Sequence, residues 1–325
     1  MVSRRNFLAG SAVAALTVGS FRPDLAWSQT IPQLQMFVPA APGGGWDQTA
    51  RVMELVLKNE KLIGGAQITN VPGAGGAVGL PQFVNQWKGR QNALMVGGLV
   101  MIGALLANKS PIKVTQTVPV ARLTGEFEVL VVPAGSPFKT AKDFADALKA
   151  DATKVSVAGG SAGGTDHIML GMIGKALGVA PKNLKYVAYP GGGPAVAALL
   201  GGHVSAGISG FGEFAEQVKA GKLRALGISA DKRQEGIDIP TLKEQGIDVE
   251  LFNWRGVFAP PGVSNDARQA MIALMEKMTA SASWKQETEK RDWTSIPLFG
   301  DAFAKYVQDE MARVEAILKD LGLAS

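Results

Sequence analysis

Three times in this chain a short apolar segment runs into a cluster of glycines that opens onto a helical pattern. The clusters are Pro42-Gly43-Gly44-Gly45-Trp46-Asp47, Gly159-Gly160-Ser161-Ala162-Gly163-Gly164-Thr165-Asp166-His167 and Pro190-Gly191-Gly192-Gly193. Glycine has no Cβ, so the backbone can turn sharply there and approach a second group closely. Strand before and helix after mean α/β layers. Each glycine turn then lies at the carboxyl end of a strand, where open α/β sheets hold ligands. The exposed N–H groups of such a turn face one point, and the helix that follows adds the positive end of its dipole. The predicted result is an anion seat, with Asp47 capping its own helix and Ser161 and Thr165 adding hydroxyl donors. The rival reading of each turn is a tight strand-to-helix connection with no ligand.

The remaining pattern alternates strands (33–39, 66–71, 93–96, 154–158, 185–189, 204–208, 224–229) with helices (47–59, 141–150, 167–177, 194–200, 265–281, 300–321). Thr140 is placed to cap the helix over 141–150. Two further extended segments, near Val129 and over 250–259, bracket a middle block. A chain of 325 residues fits about two domains. The bracketing predicts one lobe from residues 29–126 plus 255–325 and a second from 127–254. Two crossing segments make a hinge, and a hinge between α/β lobes makes a cleft.

Composition removes several classes of function. There is no cysteine and only two histidines, His167 and His203. A thiol nucleophile, an Fe–S cluster, a Cys-ligated zinc and a multi-His metal site are excluded, and no cofactor is expected. Net charge is +5, with no Lys/Arg-rich run, so nucleic acid is not an expected partner. Between Glu60 and Glu126 no acid occurs, while Lys61, Lys88, Arg90, Lys109, Lys113 and Arg122 do. That stretch is expected to present a positive field to an anionic ligand.

Gly159-Gly160-Ser161-Ala162-Gly163 matches the hydrolase elbow pattern, with Ser161 as the nucleophile of that alternative. The only later histidine besides His167 is His203, which reads as a turn residue, and no oxyanion motif precedes Ser161. Gly73-Ala74-Gly75-Gly76-Ala77-Val78-Gly79 misses the dinucleotide fingerprint by one position and lacks the following acid. It is expected to shape the first lobe beside the cleft. Arg255, on the return crossing, has two readings: a bidentate clamp on a carboxylate, or a hinge residue paired with an internal acid. Trp46 reads equally as cleft wall and as core.

Ser3-Arg4-Arg5-Asn6-Phe7-Leu8, an apolar stretch over 7–18 and Ala26-Trp27-Ser28 read as an export signal of twin-arginine type over residues 1–28. The apolar stretch is too short for a membrane anchor, so a soluble periplasmic chain is expected from about residue 29.

Taken together these pieces resemble the periplasmic substrate-binding proteins of tripartite tricarboxylate transporters, the Bug/TctC-type family. The resemblance rests on Pro42–Asp47 with Ala50-Arg51, Asn70-Val71-Pro72-Gly73-Ala74-Gly75-Gly76, the segment 163–167 and the segment 189–194. It continues through Gly201-Gly202-His203-Val204, Ala220-Gly221-Lys222-Leu223-Arg224, Pro240-Thr241-Leu242-Lys243-Glu244-Gln245-Gly246 and Phe258-Ala259-Pro260-Pro261-Gly262. It implies a periplasmic-binding-protein-like Venus flytrap and no enzymatic activity. It further implies a small carboxylate held by Gly43, Gly44, Gly45, Trp46 and Asp47 from one lobe and Ser161, Ala162, Gly163, Gly164, Thr165 and His167 from the other. Gly191, Gly192 and Arg255 complete the expected site. The implied partners are a large and a small integral membrane subunit, and the implied state is a monomer. Trp46 and Asn253-Trp254-Arg255-Gly256 look like the tricarboxylate (citrate-like) branch. Ser205 stands where many relatives carry Asp, which favours purely anionic ligands over amino acids. A sensor-coupled binding protein is the alternative role.

Overall fold

The computed structural model describes residues 31–234 and 236–323; the segment read as an export signal lies outside them. The chain opens with β1 (Leu34–Val38), α1 (Gly45–Asn59), β2 (Ala66–Asn70), α2 (Gly79–Gln86), β3 (Ala93–Gly98) and α3 (Leu99–Ala107). A long strand, β4 (Val118–Pro133), leads to α4 (Ala141–Asp151), β5 (Ser156–Gly159), α5 (Thr165–Ala176), β6 (Lys185–Ala188) and α6 (Gly192–Leu200). Then come β7 (Ala206–Gly210), α7 (Phe211–Lys219), β8 (Leu223–Ile228), β9 (Phe252–Ala259), α8 (Asn265–Thr279), α9 (Ala282–Glu289), β10 (Thr294–Phe299) and α10 (Gly300–Asp320).

The strand order is β2-β1-β3-β9-β4-β7-β5-β6, with β8 and β10 also on β4. Strand β4 divides this array. Its residues 118–127 pair antiparallel with β9, and residues 121–125 pair on the other side with β10. From Glu128 onward it pairs instead with β7 and β8. One 16-residue strand therefore belongs to both sheets and changes partners between Phe127 and Glu128. The returning chain changes sheet just before β9: Leu251 still donates to Ser229, 3.0 Å away, and Phe252 already pairs with Phe127. The return thus comes three residues before the expected break at 254/255, because Asn253 and Trp254 already lie in register with Glu126 and Gly125.

Alternation along β4 explains how it stays buried on both faces. Leu130 and Val132 point into the large core shared with β1, β3 and β9, whereas Val129 and Val131 join Phe214, Leu199 and Leu223 beneath the second sheet. Trp254 anchors β9. Its ring packs edge-on against Phe303 and Tyr306 of α10, and its Nε1–H donates to Glu310 at 2.8 Å. The expected cap of α4 is present: Thr140 accepts from the Asp143 amide and Asp143 returns the bond. Helices α2, α3, α7 and α9 and strand β10 were not expected. In α3 the cause is plain, since Leu99-Val100-Met101-Ile102-Gly103-Ala104-Leu105-Leu106-Ala107 carries no polar residue to mark a helical phase. No helix among the described residues is long and apolar enough to cross a membrane.

Candidate functional site

The first glycine turn folds on itself. Gly43 takes φ +85°, a left-handed conformation that glycine adopts without strain. Its N–H donates to Asp47 Oδ2 at 2.9 Å, and Asp47 is further held by Arg51 Nε at 2.8 Å and Asn70 Nδ2 at 3.0 Å. Burial pushes the Asp47 carboxyl up, but the bonds from Arg51, Gly43 and Asn70 outweigh this and hold it below its ordinary range. Asp47 is therefore a brace that shapes the turn.

The second turn is also self-occupied. The Gly160 N–H donates to Asp166 and the Gly163 N–H to His167 Nδ1 at 3.1 Å. Tyr186 Oη donates to the Ser161 carbonyl at 2.9 Å. The His167 ring stacks on Tyr186, centroids 4.2 Å apart and planes 3° from parallel. Burial lowers His167 to about 4, so it is neutral at pH 7, and with Nδ1 accepting, the proton sits on Nε2. The tip of this turn packs on α3: a Cβ at Gly103 would overlap the Gly163 carbonyl oxygen.

Between the turns lies a small cavity of about 50 Å³. Its walls are Pro39, Ala40, Gly44, Gly45, Trp46, Gly73, Gly75 and Val100 on one side and Gly160, Asp166, Pro190, Gly191, Gly192, Ser209 and Glu213 on the other, with Asn253 and Arg255 at its base. Of the expected site residues, Gly44, Gly45, Trp46, Gly191, Gly192 and Arg255 line it. The others do not line it: Gly43 and Ala162 are exposed, Gly43 on a separate surface hollow, and Asp47, Ser161, Gly163, Gly164, Thr165 and His167 stand behind the walls in turns held by internal bonds and by packing on α3. Trp46 is both buried in the core and a wall of the cavity. The Gly73–Gly79 segment lies beside the cleft as expected. Ser205 bonds Ser156 on β5 instead and does not line the cavity, so its identity says nothing about an ammonium in the guest.

The sequence reading missed the acids. Glu126 and Glu128, two apart on β4, share one face of the strand. Glu126 pairs with Arg255 and accepts from the Gly212 N–H at 3.0 Å; this is the internal-acid reading of Arg255. Glu213, in the first turn of α7, reaches across the cavity and accepts from the Gly45 N–H at 2.9 Å, with Arg255 Nη2 3.9 Å away. Glycine at 192 leaves the space that Glu213 Oε2 fills, since a Cβ there would displace that oxygen. The available signal was a pair of acids running into the apolar stretch Val129–Val132 of β4, which is costly unless each finds a partner.

Burial is the main reason that three of these carboxyls are shifted upward. It raises Glu128 well above its ordinary value, with Asp166 and Glu213 adding repulsion. It also raises Asp166 and, helped by the Asp166 charge, pushes Glu213 to about 7. A group whose folded value is raised favours the fold while protonated and disfavours it once ionised. The stability that protonated Glu213 contributes is complete below about 4.5, the unfolded value, and is lost as pH rises through about 7. The melting temperature is accordingly expected to fall between pH 5 and pH 8, and Glu213→Gln should flatten that slope. A wild-type melting temperature that rises over this interval would contradict the assignment.

A two-sheet α/β scaffold with two crossing strands and a glycine-walled cavity between them is the architecture of a solute-binding receptor. The chain belongs to the tripartite tricarboxylate transporter receptor family, whose TctC model matches residues 49–323. Members of that family are transport receptors, not enzymes, so the hydrolase alternative on Ser161 falls. The chain is 26% identical to Protein BugT of Bordetella pertussis over 323 residues, covering 97% of each chain. In fold it resembles the periplasmic binding protein BugD, with a TM-score of 0.82 and 22% identity over 90% of this chain and 98% of that one. It also resembles MatC of Rhodopseudomonas palustris, solved with bound malate, with a TM-score of 0.78 and 24% identity over 89% and 100%.

Proposed function

We propose that this chain is exported to the periplasm through the signal at 1–28, captures a small carboxylate between two lobes and presents it to the large and small membrane subunits of a transporter, acting as a monomer. The lobes are those bracketed by the crossings in β4 and before β9. The carrying observation is that a carboxylate already occupies the seat: Glu213 lies on the Gly45 N–H at the start of α1, beside Arg255. Helix N-terminus, glycine amide and guanidinium together suit an anion. The cavity is small, about 50 Å³, so a guest enters as the lobes part and they close on it through contacts made with both.

Trp46 and the segment 253–256 favour a citrate-like tricarboxylate, with a dicarboxylate such as the malate of MatC next. The raised values of Glu128 and Glu213 reduce the negative charge that such a guest meets. Titration calorimetry of the mature chain against citrate, tricarballylate, malate, succinate and benzoate is expected to give one-site binding for at least one di- or tricarboxylate. Absence of heat and of thermal stabilisation with every carboxylate would remove this reading.

A further inference from the structure

Four carboxyls meet one guanidinium around the cavity. Glu126, Glu128, Asp166 and Arg255 are buried, and the Glu213 side chain is 9% exposed. Arg255 is committed to Glu126 and stands 3.9 Å from Glu213. Glu128 bonds Asp166, and Asn253 bonds Glu128. Two carboxyls bond each other only through a proton, so the Glu128–Asp166 pair holds one. Neighbouring cations are engaged elsewhere, Arg51 on Asp47 and Lys290 and Arg291 on Glu287. Tyr186 donates its hydroxyl to the Ser161 carbonyl, and His167, stacked on it, is neutral. Fully ionised, the cluster would carry negative charges with no counter-ion in a nearly dry site, which is costly.

Of these acids, Asp166 and Glu213 line the cavity. Asp166 is tied within its own turn by the Gly160 N–H and the Thr165 hydroxyl. Glu213 instead spans the cleft. It leaves α7, bonds Ser209 on its own side and reaches the Gly45 N–H of α1 at 2.9 Å. Parting the lobes returns this carboxyl to water, and closing them buries it again beside Asp166.

We infer that closure takes up a proton on Glu213, so that guest capture is linked to pH and tightens as the medium acidifies. The inference rests on the two-lobe capture reading and adds its regulation. The sign follows from where the charge is tolerated. In water the carboxyl titrates near its ordinary 4.5, whereas in the closed form burial, with the Asp166 charge, pushes it to about 7. The help that the proton gives to closure is complete below about 4.5 and is lost as pH rises through about 7. An anionic guest against the same wall repels the ionised form and acts in the same direction.

The test is calorimetry on the mature chain with L-malate, or with whichever acid of the titration above binds best. Run at pH 7 in buffers of different ionisation enthalpy, the wild type should take up at least about half a proton per guest bound, and its affinity should be about tenfold higher at pH 6 than at pH 8. In Glu213→Gln the amide oxygen stays on the Gly45 N–H and the NH2 donates to Ser209, so the side chain is neutral at every pH. This variant should bind at pH 8 about as tightly as the wild type does at pH 6, with the proton uptake gone. Its melting temperature at pH 5 checks that it is folded, and the wild-type measurement decides without it. Guest binding by the wild type with no uptake, or uptake undiminished in Glu213→Gln, would overturn the inference and leave carboxylate capture standing. No binding at any pH would remove both.

Discussion

Gly103→Leu is expected to weaken guest binding by 100-fold or more while the fold survives. Gly103 lies on α3, and a Cβ there would overlap the Gly163 carbonyl oxygen and come 3.2 Å from Ile168 Cδ1. Those neighbours belong to the second glycine turn and to α5, across the cleft from the first sheet. Main-chain carbonyls cannot swing aside as a side chain does, so on the two-lobe reading proposed above the wedge is relieved by parting the lobes. The parted form keeps each sheet, at the cost of contacts in the part of the large core that α5 shares with α3 and the C-terminal segment. A 100-fold loss corresponds to about 2.7 kcal/mol, drawn from closure rather than from folding. Calorimetry with the best carboxylate reads the loss, small-angle scattering reads the more open form, and thermal melting should move by only a few degrees. Wild-type affinity in this variant would mean that α3 and the second turn stay together throughout the binding cycle.

The second large effect falls on stability. Arg255 is 2% exposed, paired with Glu126, near Glu213, and 5.3 Å from the centroid of the Trp293 ring. Burial lowers its guanidinium to about 9, which leaves it charged at neutral pH. Arg255→Met removes the one cation among Glu126, Glu128, Asp166 and Glu213. Breaking a buried pair on one side costs about 3–5 kcal/mol, because the partner charge stays buried. For a chain of this size that is a fall of order 10 °C in melting temperature. Adding Glu126→Gln, which keeps an acceptor for the Gly212 N–H, should recover more than half of the loss. A fall of less than 2 °C in the single variant would show that the acids already carry enough protons to need no cation.

The layers, the glycine turns and the caps were legible in the residues because each is a short-range matter. The run from Pro42 to Asp47 can hardly be other than a strand-to-helix turn, and Thr140 with Asp143 states its own capping box. Elements without a local signature were not legible. Helix α3 is apolar on every side, and β4 extends well before Val129 through Glu126 and Glu128, residues that ordinarily argue against a buried strand.

The sequence alone determined that this chain is an α/β protein whose glycine amides gather at strand ends, since backbone freedom and hydrophobic period are written residue by residue. Only the tertiary structure decided which of those amides are open to a guest and which are taken by Asp47, Asp166, His167 and Glu213. Residues 45 and 213 are 168 positions apart, and nothing local tells either of the other. Their meeting depends on β4 being shared by two sheets, a pairing set by long-range register and burial, and the charge of the cavity is a consequence of that pairing.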